Sequence, residues 1–341
     1  MKILVTGAAG FMGGHLVDSL IKKNTNDEIF GVDDLSGGYM DNVNNKIKFT
    51  KLDLRNRKKT EEYINKVKPD LIFHLAADAT EGRSQFTPIN CTERNYVAYL
   101  NVLVPAIRNG LKKMILTSSM SVYGSQKPPF NEKMERKPDD IYAISKSAME
   151  RATEILSKVH GFKYTIIRPH NVYGPRQNMA DPYRNVIAIF VNCLRNNKNY
   201  FIYGNGEQKR AFTYIDDFTP YILEAAFNKK ADSEIFNIGP TKEYTINELS
   251  DVILKIFFGG RKIPKHLRPK YLHIRPLEVI DAWCTVKKAE KILGFKTTVS
   301  LEIGIKKMIE WARKKEPRQF KYQKLEIINK NTPSVWKNKL I

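Results

Sequence analysis

Short, nearly continuous apolar runs alternate with segments of helical periodicity along the first two-thirds of the chain. Runs that are apolar at successive positions, and not only at every second one, are typical of parallel strands covered on both faces. Their alternation with helices predicts right-handed crossovers and a Rossmann-type, doubly wound α/β sheet. The predicted strands are Lys2–Thr6, Glu28–Val32, Ile47–Lys51, Leu71–Ala76, Met114–Ser118, Tyr164–Arg168 and Ile235–Ile238.

Two helices are predicted with definite ends. The segment Ile141–His160 carries aliphatic residues at helical spacing, which predicts an amphipathic helix. Thr245 and Glu248 have the spacing of a capping box and predict a helix that runs to about Phe257. The aliphatic stripe of the first helix consists of Ile141, Ile144, Ala148, Ala152, Ile155, Leu156 and Val159.

The regular alternation weakens after Arg168, where glycine and proline separate shorter elements. We therefore expect a smaller C-terminal substrate-binding cap on the carboxyl edge of the sheet. The expected division assigns residues 1–170 and about 211–250 to the sheet domain, about 171–210 and 251–315 to the cap, and 316–341 to a basic tail. The residues from Arg313 to Ile341 include nine Lys or Arg and two Glu, a net charge of +7. This tail is either partly disordered or an arm packed through Trp336.

The composition excludes several classes of protein. With 341 residues, of which 42% are hydrophobic and 27% charged, the chain can bury a sizeable core. No apolar run approaches the roughly 20 residues that span a bilayer, so no membrane association is expected. Cys91, Cys193 and Cys284 are too scattered for a disulfide framework or a metal site, and a reducing cytoplasm is expected.

The formal net charge of +21 raises the possibility of a nucleic-acid partner. However, the basic residues are mostly single lysines along helices, without a compact block interleaved with aromatic residues. We therefore do not expect nucleic-acid binding, although an anionic small substrate would gain from the positive field.

A glycine-rich loop follows the first predicted strand. Gly7 permits a tight turn, Gly10 allows close approach of a pyrophosphate, and Gly13 allows close packing of helix on strand. The next helix begins with Phe11 and Met12, whose N–H groups and positive dipole end face the same point. The pattern predicts a dinucleotide-binding loop.

Asp33 ends the second predicted strand, 26 positions after Gly7. At this spacing a carboxylate accepts hydrogen bonds from the adenine ribose, and it would repel a 2′-phosphate. The sequence therefore predicts NAD as the cofactor, in preference to NADP. Asp34 and Ser36 lie beside Asp33 and are expected to share this contact.

Tyr142 and Lys146 lie four residues apart on the long predicted helix and therefore share a face. A neighbouring ammonium and the positive nicotinamide ring would lower the pKa of the phenol, making it a base for a substrate hydroxyl. Ser119 follows the strand Met114–Ser118 at the carboxyl edge, where its hydroxyl would hold the same substrate oxygen.

Together these motifs resemble an extended short-chain dehydrogenase/reductase of the NAD-dependent nucleotide-sugar epimerase/dehydratase family. The resemblance covers about residues 1–312. It is carried by the glycine loop, Asp53-Leu54, His74-Leu75-Ala76-Ala77, Ser118-Ser119, Val122-Tyr123-Gly124, Tyr142 to Lys146, and Arg168-Pro169-His170-Asn171-Val172-Tyr173-Gly174-Pro175.

The resemblance implies roles for these and further residues. Cofactor contacts are implied for Gly7, Gly10, Phe11, Met12, Gly13, Asp33, Asp34, Ser36, Asp53, Leu54, Ala76, Ala77, Tyr142, Lys146 and Arg168. Catalysis is implied for Ser119, Tyr142 and Lys146. Substrate contacts are implied for Ser84, Ser119, Ser121, Asn171, Arg210 and Arg275, of which the two arginines would clamp the diphosphate.

Two departures from the family pattern narrow the predicted reaction. The 4,6-dehydratases of the family carry an Asp-Glu pair where this chain has Met120 and Ser121, which argues against water elimination. His170 replaces the aromatic residue typical of 4-epimerases and leaves the identity of the sugar open.

We predict a UDP-sugar 4-epimerase that forms a transient 4-keto sugar. The alternatives are a reductase, a 3,5-epimerase, a decarboxylase of a sugar acid, or a family member that binds nucleic acid. The resemblance also implies a homodimer formed by helices near residues 92–109 and 141–160.

Overall fold

The computed structural model describes residues 1–23 and 26–341 of the chain. Its strands form one central sheet and three smaller sheets, and they are β1 Lys2–Thr6, β2 Glu28–Asp33, β3 Lys48–Lys51, β4 Leu71–His74, β5 Lys113–Thr117, β6 Lys163–Pro169, β7 Val172–Tyr173, β8 Phe201–Tyr203, β9 Lys209–Arg210, β10 Thr213–Tyr214, β11 Glu234–Ile238, β12 Tyr244–Thr245, β13 Lys270–Leu272 and β14 Asp281–Ala282. Seven parallel strands form the central sheet in the order β11-β6-β5-β4-β1-β2-β3.

The seven predicted strands are the seven strands of this sheet, and the prediction of a Rossmann-type fold is confirmed. The strand ends differ by one or two residues. For example, β4 stops at His74, two residues before the predicted end, because the hydroxyl of Thr6 accepts the N–H groups of Leu75 and Ala76 at 3.2 Å each. Those bonds turn the chain away from the sheet toward its carboxyl edge.

Helices cover both faces of the sheet and build most of the remaining structure. None of the helices within residues 1–23 and 26–341 is long and apolar enough to cross a bilayer. The helices are α1 Phe11–Lys22, α2 Arg57–Val67, α3 Glu81–Ser84, α4 Pro88–Thr92, α5 Ala98–Arg108, α6 Ile141–His160, α7 Val186–Arg195, α8 Thr219–Phe227, α9 Ile246–Phe258, α10 Lys287–Leu293, α11 Leu301–Arg313 and α12 Ser334–Lys337.

The long helix α6 has the predicted bounds, but its buried face is not the aliphatic stripe. Ile144, Ile155 and Val159 are exposed, whereas Tyr142 and Lys146 are buried. The buried face is polar because its groups find partners inside the protein. Glu150 accepts two hydrogen bonds from the guanidinium of Arg168, at 2.9 and 2.6 Å, and Lys146 donates to the carbonyl of Thr117 at 2.7 Å.

Smaller sheets lie beyond the carboxyl edge of the central sheet. Strands β12, β9 and β14 form one, β13 pairs with β8, and β10 pairs with β7. Helix α9 begins with the predicted capping box, in which the side chains of Thr245 and Glu248 each accept the other residue's N–H. The pairing of β9 with β14 holds Arg210 next to the segment that carries Arg275 and Glu278.

The basic tail is an arm packed on the protein, which decides between the two alternatives. The backbone N–H of Lys321 donates to the carbonyl of Ala180 at 2.8 Å, and that of Glu326 donates to Phe86 at 2.8 Å. Trp336 on α12 is 4% exposed and makes edge contacts with Phe86 and Tyr183. The tail thus joins two segments that lie far apart in the sequence.

Candidate functional site

A large cleft runs along the carboxyl ends of β1, β2, β4 and β5 and beneath the smaller sheets. This is the edge at which parallel α/β sheets bind their ligands. Of the predicted site residues, it is lined by Gly7, Gly10, Phe11, Met12, Gly13, Asp33, Asp34, Ser36, Asp53, Leu54, Ala76, Ala77, Ser119, Ser121, Tyr142, Lys146, Asn171, Arg210 and Arg275. The remaining two, Ser84 and Arg168, do not line it.

The glycine loop has the close backbone packing that its spacing predicts. Gly7 has φ +73°, a left-handed conformation that favours glycine, and its carbonyl accepts the N–H of Gly10 at 3.0 Å. A Cβ on Gly13 would lie 2.0 Å from the carbonyl oxygen of Gly7. The loop therefore leaves the first turn of α1, with its N–H groups that no helical carbonyl reaches, facing the cleft.

Asp33 fixes the loop from the adjacent strand. Its carboxylate accepts the N–H of Ala9 at 3.1 Å and that of Leu35 at 2.8 Å. Burial raises the pKa of Asp33, and these two hydrogen bonds oppose the rise. The aspartate thus braces the glycine loop besides facing the predicted ribose position.

Two arginines at this end of the cleft were not anticipated. Arg94 donates to Asp34 at 2.8 Å and to Ser36 at 3.0 Å. Arg55 binds the carboxylate of Asp53 through Nε at 3.1 and 3.0 Å and through Nη2 at 2.6 Å, and these bonds hold the pKa of Asp53 below its usual range. Arg94 lies 60 residues after Asp34, so no local spacing pointed to it, whereas Arg55 lies only two residues after the predicted Asp53.

Buried polar atoms without a protein partner support the presence of a polar ligand in the cleft. Within the described residues, the hydroxyls of Thr117 and Ser118 are buried and have no hydrogen-bond partner. Both residues line the cleft directly after β5. Since buried hydroxyls are normally paired, their position fits the polar groups of a bound cofactor or substrate. The donor set and the glycine cradle together fit a dinucleotide.

Ser119, Tyr142 and Lys146 meet at the middle of the cleft. The hydroxyl of Ser119 accepts the N–H of Ser121 at 3.1 Å and the hydroxyl of Ser121 at 2.9 Å, and it also bonds the phenol of Tyr142. The ammonium of Lys146 lies 5.7 Å from the centre of the Tyr142 ring. Asp140 caps the same helix by accepting the N–H of Ala143 at 2.8 Å.

The electrostatics of this centre differ from the predicted ones in direction. Burial, together with the charge of Glu81, raises the pKa of Tyr142 well above its ordinary value, and the bond from Ser119 only opposes this. Burial also lowers the pKa of Lys146 to about 8. The protein atoms alone therefore do not acidify the phenol, because desolvation of the phenolate and the charge of Glu81 outweigh the interaction with Ser119.

Three charged residues form the far end of the cleft. Glu278 accepts Nη2 of Arg210 at 3.1 Å and Nε of Arg275 at 2.7 Å, and it is 7% exposed. Two guanidiniums on one carboxylate leave a net positive charge there. Planar donor forks held by a shared anchor suit the binding of phosphate oxygens.

Three predicted residues have other surroundings than the resemblance implies. Arg168 is 1% exposed and is bound to Glu150 and to the hydroxyl of Tyr123, so it braces β6 against α6 behind the cleft. Ser84 is buried and donates to the carbonyl of Glu81 at 2.6 Å. Asn171 does line the cleft, but its amide donates to Ala211 at 2.9 Å.

His170, which leaves the identity of the sugar open, is buried and does not line the cleft. Burial lowers the pKa of His170 to about 4. The ring is therefore neutral at physiological pH and takes no part as a titrating group.

A carboxylate that the sequence analysis did not predict acts on Tyr142. Glu81 lines the cleft at the start of α3, and its charge acts on Tyr142, Arg210 and Arg275. A Cβ on the next residue, Gly82, would lie 3.4 Å from Nη1 of Arg275. Glu81 thus borders the space between the phenol and the two arginines. In the sequence, the feature that could have indicated Glu81 is its position seven residues after His74, which ends β4 at the carboxyl edge of the sheet.

Comparison with known proteins places this site in a family. The model of the NAD dependent epimerase/dehydratase family matches residues 3–239. The chain belongs to that family. Its resemblance to the extended short-chain dehydrogenases/reductases and its NAD cofactor are thereby confirmed.

Individual members of the family extend the match over the chain. It is 34% identical to a putative UDP-glucose 4-epimerase of Methanocaldococcus jannaschii over 91% of this chain and 98% of that protein. It is 31% identical to a UDP-N-acetyl-alpha-D-glucosaminuronate decarboxylase of Bacillus cytotoxicus over 92% and 98%. A UDP-glucose 4-epimerase of Thermotoga maritima, solved with UDP-glucose, has a TM-score of 0.83, 34% identity, and coverage of 92% and 99%.

Proposed function

We propose that this protein is an NAD-dependent UDP-sugar 4-epimerase. The observation that carries the proposal is the junction of two sites within one cleft. Ser119 and Tyr142 form a hydroxyl pair at its centre, and Arg210 and Arg275 form a cationic clamp at one end. The substrate preference is supported by similarity to UDP-glucose 4-epimerases, among them the proteins of Methanocaldococcus jannaschii (putative) and Thermotoga maritima.

The residues of the glycine loop would hold NAD, which when bound would supply reversible hydride transfer at C4 of the sugar. The residues of the chain do the rest. The positive nicotinamide ring of bound NAD would stabilise the phenolate of Tyr142, whose pKa the protein atoms alone raise. As the phenolate, Tyr142 takes the proton of the 4-hydroxyl and gives it back, and Ser119 holds that oxygen as it becomes a carbonyl. Lys146, held by the carbonyl of Thr117, places a positive charge near the phenolate of Tyr142. Arg210 and Arg275 hold the diphosphate.

The decarboxylase alternative has support from two relatives, at 31% and 28% identity, but not from the residues of the cleft. A decarboxylase substrate carries a carboxylate on the sugar, and Glu81 would repel that charge next to Tyr142. We therefore propose an uncharged sugar as the substrate.

We also propose a homodimer, a cytoplasmic location and the two-part division of the chain predicted from the sequence. The dimer is supported by exposed aliphatic residues on the two helical stretches predicted to form it. Val104 is 44% exposed on α5, and Ile155 and Val159 on α6 are 46% and 68% exposed. Aliphatic patches of this kind are typical of association surfaces.

The experiment is incubation of the purified protein with UDP-glucose, UDP-galactose and other nucleotide sugars, with products resolved by chromatography. We expect interconversion of 4-epimers without net consumption of NAD. Tyr142→Phe should lower kcat by about 10³-fold or more while NAD stays bound, because only the proton acceptor is lost. Tyr271→Phe, at a residue 55% exposed outside the cleft, is the matched control. Full turnover by Tyr142→Phe, or carbon dioxide as product, would contradict the proposal.

A further inference from the structure

The C-terminal arm, residues 316–341, forms part of the wall of the cleft. Gln323, Val335, Trp336 and Ile341 are among the residues that line it. A Cβ on Gly82 would lie 3.3 Å from Cη2 of Trp336 and 3.4 Å from Nη1 of Arg275. The indole edge thus lies beside the cationic clamp, on the side of Glu81. A sugar held between the clamp and Tyr142 would meet this ring.

The arm is hydrogen-bonded to one side of the cleft through backbone groups and through a carboxylate. The carboxylate of Glu326 accepts the N–H of Ile89 at 2.9 Å and that of Asn90 at 2.8 Å, at the start of α4. The N–H groups of Glu326 and Ile327 both donate to the carbonyl of Phe86, at 2.8 and 3.1 Å. The segment on this side of the cleft begins in the loop after β4 and includes Gly82.

The same arm is also hydrogen-bonded to the opposite side of the cleft. Lys321 donates its N–H to Ala180 at 2.8 Å, and the hydroxyl of Tyr183 donates to the carbonyl of Gln323 at 3.3 Å. The amide of Asn192 donates to the carbonyl of Arg318 at 2.9 Å. Because the arm is hydrogen-bonded to both sides of the cleft, the two sides cannot move apart without breaking one set of these hydrogen bonds.

We infer that Trp336 is a substrate-binding residue that the arm supplies to the sugar end of the cleft, and that the arm retains the keto sugar between the two halves of the reaction. The second part rests on the proposed function. Transfer of the C4 hydride to bound NAD and of the hydroxyl proton to Tyr142 would leave an uncharged keto group on the sugar, held by Ser119 at C4 and by the nucleotide contacts. Escape of this ketone leaves the enzyme with reduced cofactor and no oxidised partner, so a wall over the sugar has a defined purpose.

The first test measures binding and does not depend on turnover. UDP and UDP-glucose are titrated calorimetrically into the NAD-bound protein, its Trp336→Ala variant and its Trp336→Phe variant. We expect Trp336→Ala to weaken UDP-glucose by about tenfold while leaving UDP unchanged, because only the hexose meets the ring. Trp336→Phe should restore most of the affinity. Equal loss for both ligands, or no loss for either, would overturn the assignment of Trp336 to the sugar.

The second test measures loss of the ketone. Each variant is incubated with UDP-glucose, the near-ultraviolet absorbance of reduced nicotinamide is followed, and the filtrate is treated with labelled borohydride to capture free keto sugar. Trp336→Ala and Glu326→Ala, which releases the arm from α4, should both accumulate reduced cofactor and release ketone about tenfold faster per turnover than the unmodified protein. Ile328→Ala, at an arm residue 61% exposed outside the cleft, is the matched control and should do neither.

The two proposals fail in different ways. Epimerisation by the unmodified protein without any extra ketone from Trp336→Ala and Glu326→Ala would overturn the retention role and leave the proposed function standing. Absence of epimerisation with every sugar would overturn the proposed function and the retention role together, and the binding test would then decide the place of Trp336 alone.

Discussion

The two ends of the cleft are built in different ways. At the cofactor end, Gly7, Gly10 and Gly13 lie within seven residues, and Asp33 follows on the neighbouring strand. At the sugar end, the surroundings come from positions as distant as Glu81 and Trp336. The first end depends on backbone geometry that only glycine permits, whereas the second depends on side chains that meet through folding. Substitutions should therefore be decisive at the first end and graded at the second.

The largest effect is expected from Gly13→Ala. The new Cβ would lie 2.0 Å from the carbonyl oxygen of Gly7, so the loop must move away from its cofactor-binding form. We expect affinity for NAD to fall by about 10²-fold or more, measured by equilibrium titration, with a loss of thermal stability.

A matched control separates the cradle from the general cost of replacing a glycine. Gly110 has φ +80°, and a Cβ there would meet no atom within 4 Å. Gly110→Ala should lower stability through backbone strain and leave NAD affinity unchanged. Similar NAD affinity in both variants would show that the packing of Gly13 does not shape the site.

A smaller effect is expected from Arg275→Ala at the other end. Loss of one guanidinium from the pair anchored on Glu278 should weaken binding of UDP by about 10- to 100-fold, measured by titration. Arg275→Lys should recover part of the loss, because an ammonium supplies the charge without the planar fork. An unchanged affinity for UDP would exclude Arg275 from the diphosphate site.

Glu81 gives a way to exchange the substrate preference of the sugar end. Glu81→Gln removes a negative charge beside Tyr142 and the two arginines, and it should raise kcat/KM for UDP-glucuronate relative to UDP-glucose by about tenfold. Glu135→Gln, at a side chain 76% exposed and outside the cleft, is the control and should leave the ratio unchanged. An unchanged ratio in Glu81→Gln would contradict the proposed preference for an uncharged sugar.

The smallest effect is a change of stability with pH at Asp140. Burial and the charge of Glu81 raise the pKa of Asp140 to about 7, above its ordinary value of 3.8. The folded protein therefore holds this proton more tightly than the unfolded chain, so the stability that Asp140 contributes is present below pH 3.8 and is lost as the pH rises through about 7.

Asp140→Asn tests that linkage while keeping an acceptor for the N–H of Ala143. We expect the variant to exceed the unmodified protein in free energy of unfolding by about 1–3 kcal/mol above pH 7, with the difference shrinking toward low pH. Denaturant titrations at a series of pH values measure it. A difference independent of pH would show that the carboxyl is not strained by burial.

The sequence predicted well where function and local pattern coincide. The seven strands, the bounds of α6 and the capping box of α9 followed from apolar runs and residue spacing. The buried face of α6 did not, because hydrophobic periodicity cannot show that Glu150 and Arg168 satisfy each other inside the protein. In the cleft, Arg94 and Glu81 were missed because the groups they act on, Asp34 and Tyr142, lie about 60 residues away in the sequence.

The sequence by itself determined the parallel sheet, the glycine loop and the pair Tyr142 and Lys146, because each depends on contacts between residues close along the chain or on a repeating pattern. The tertiary structure alone decided that Arg168 lies behind the cleft, that Tyr142 is desolvated, and that Trp336 lines the cleft. Burial and long-range pairing set those outcomes, and neither is written in the spacing of neighbouring residues.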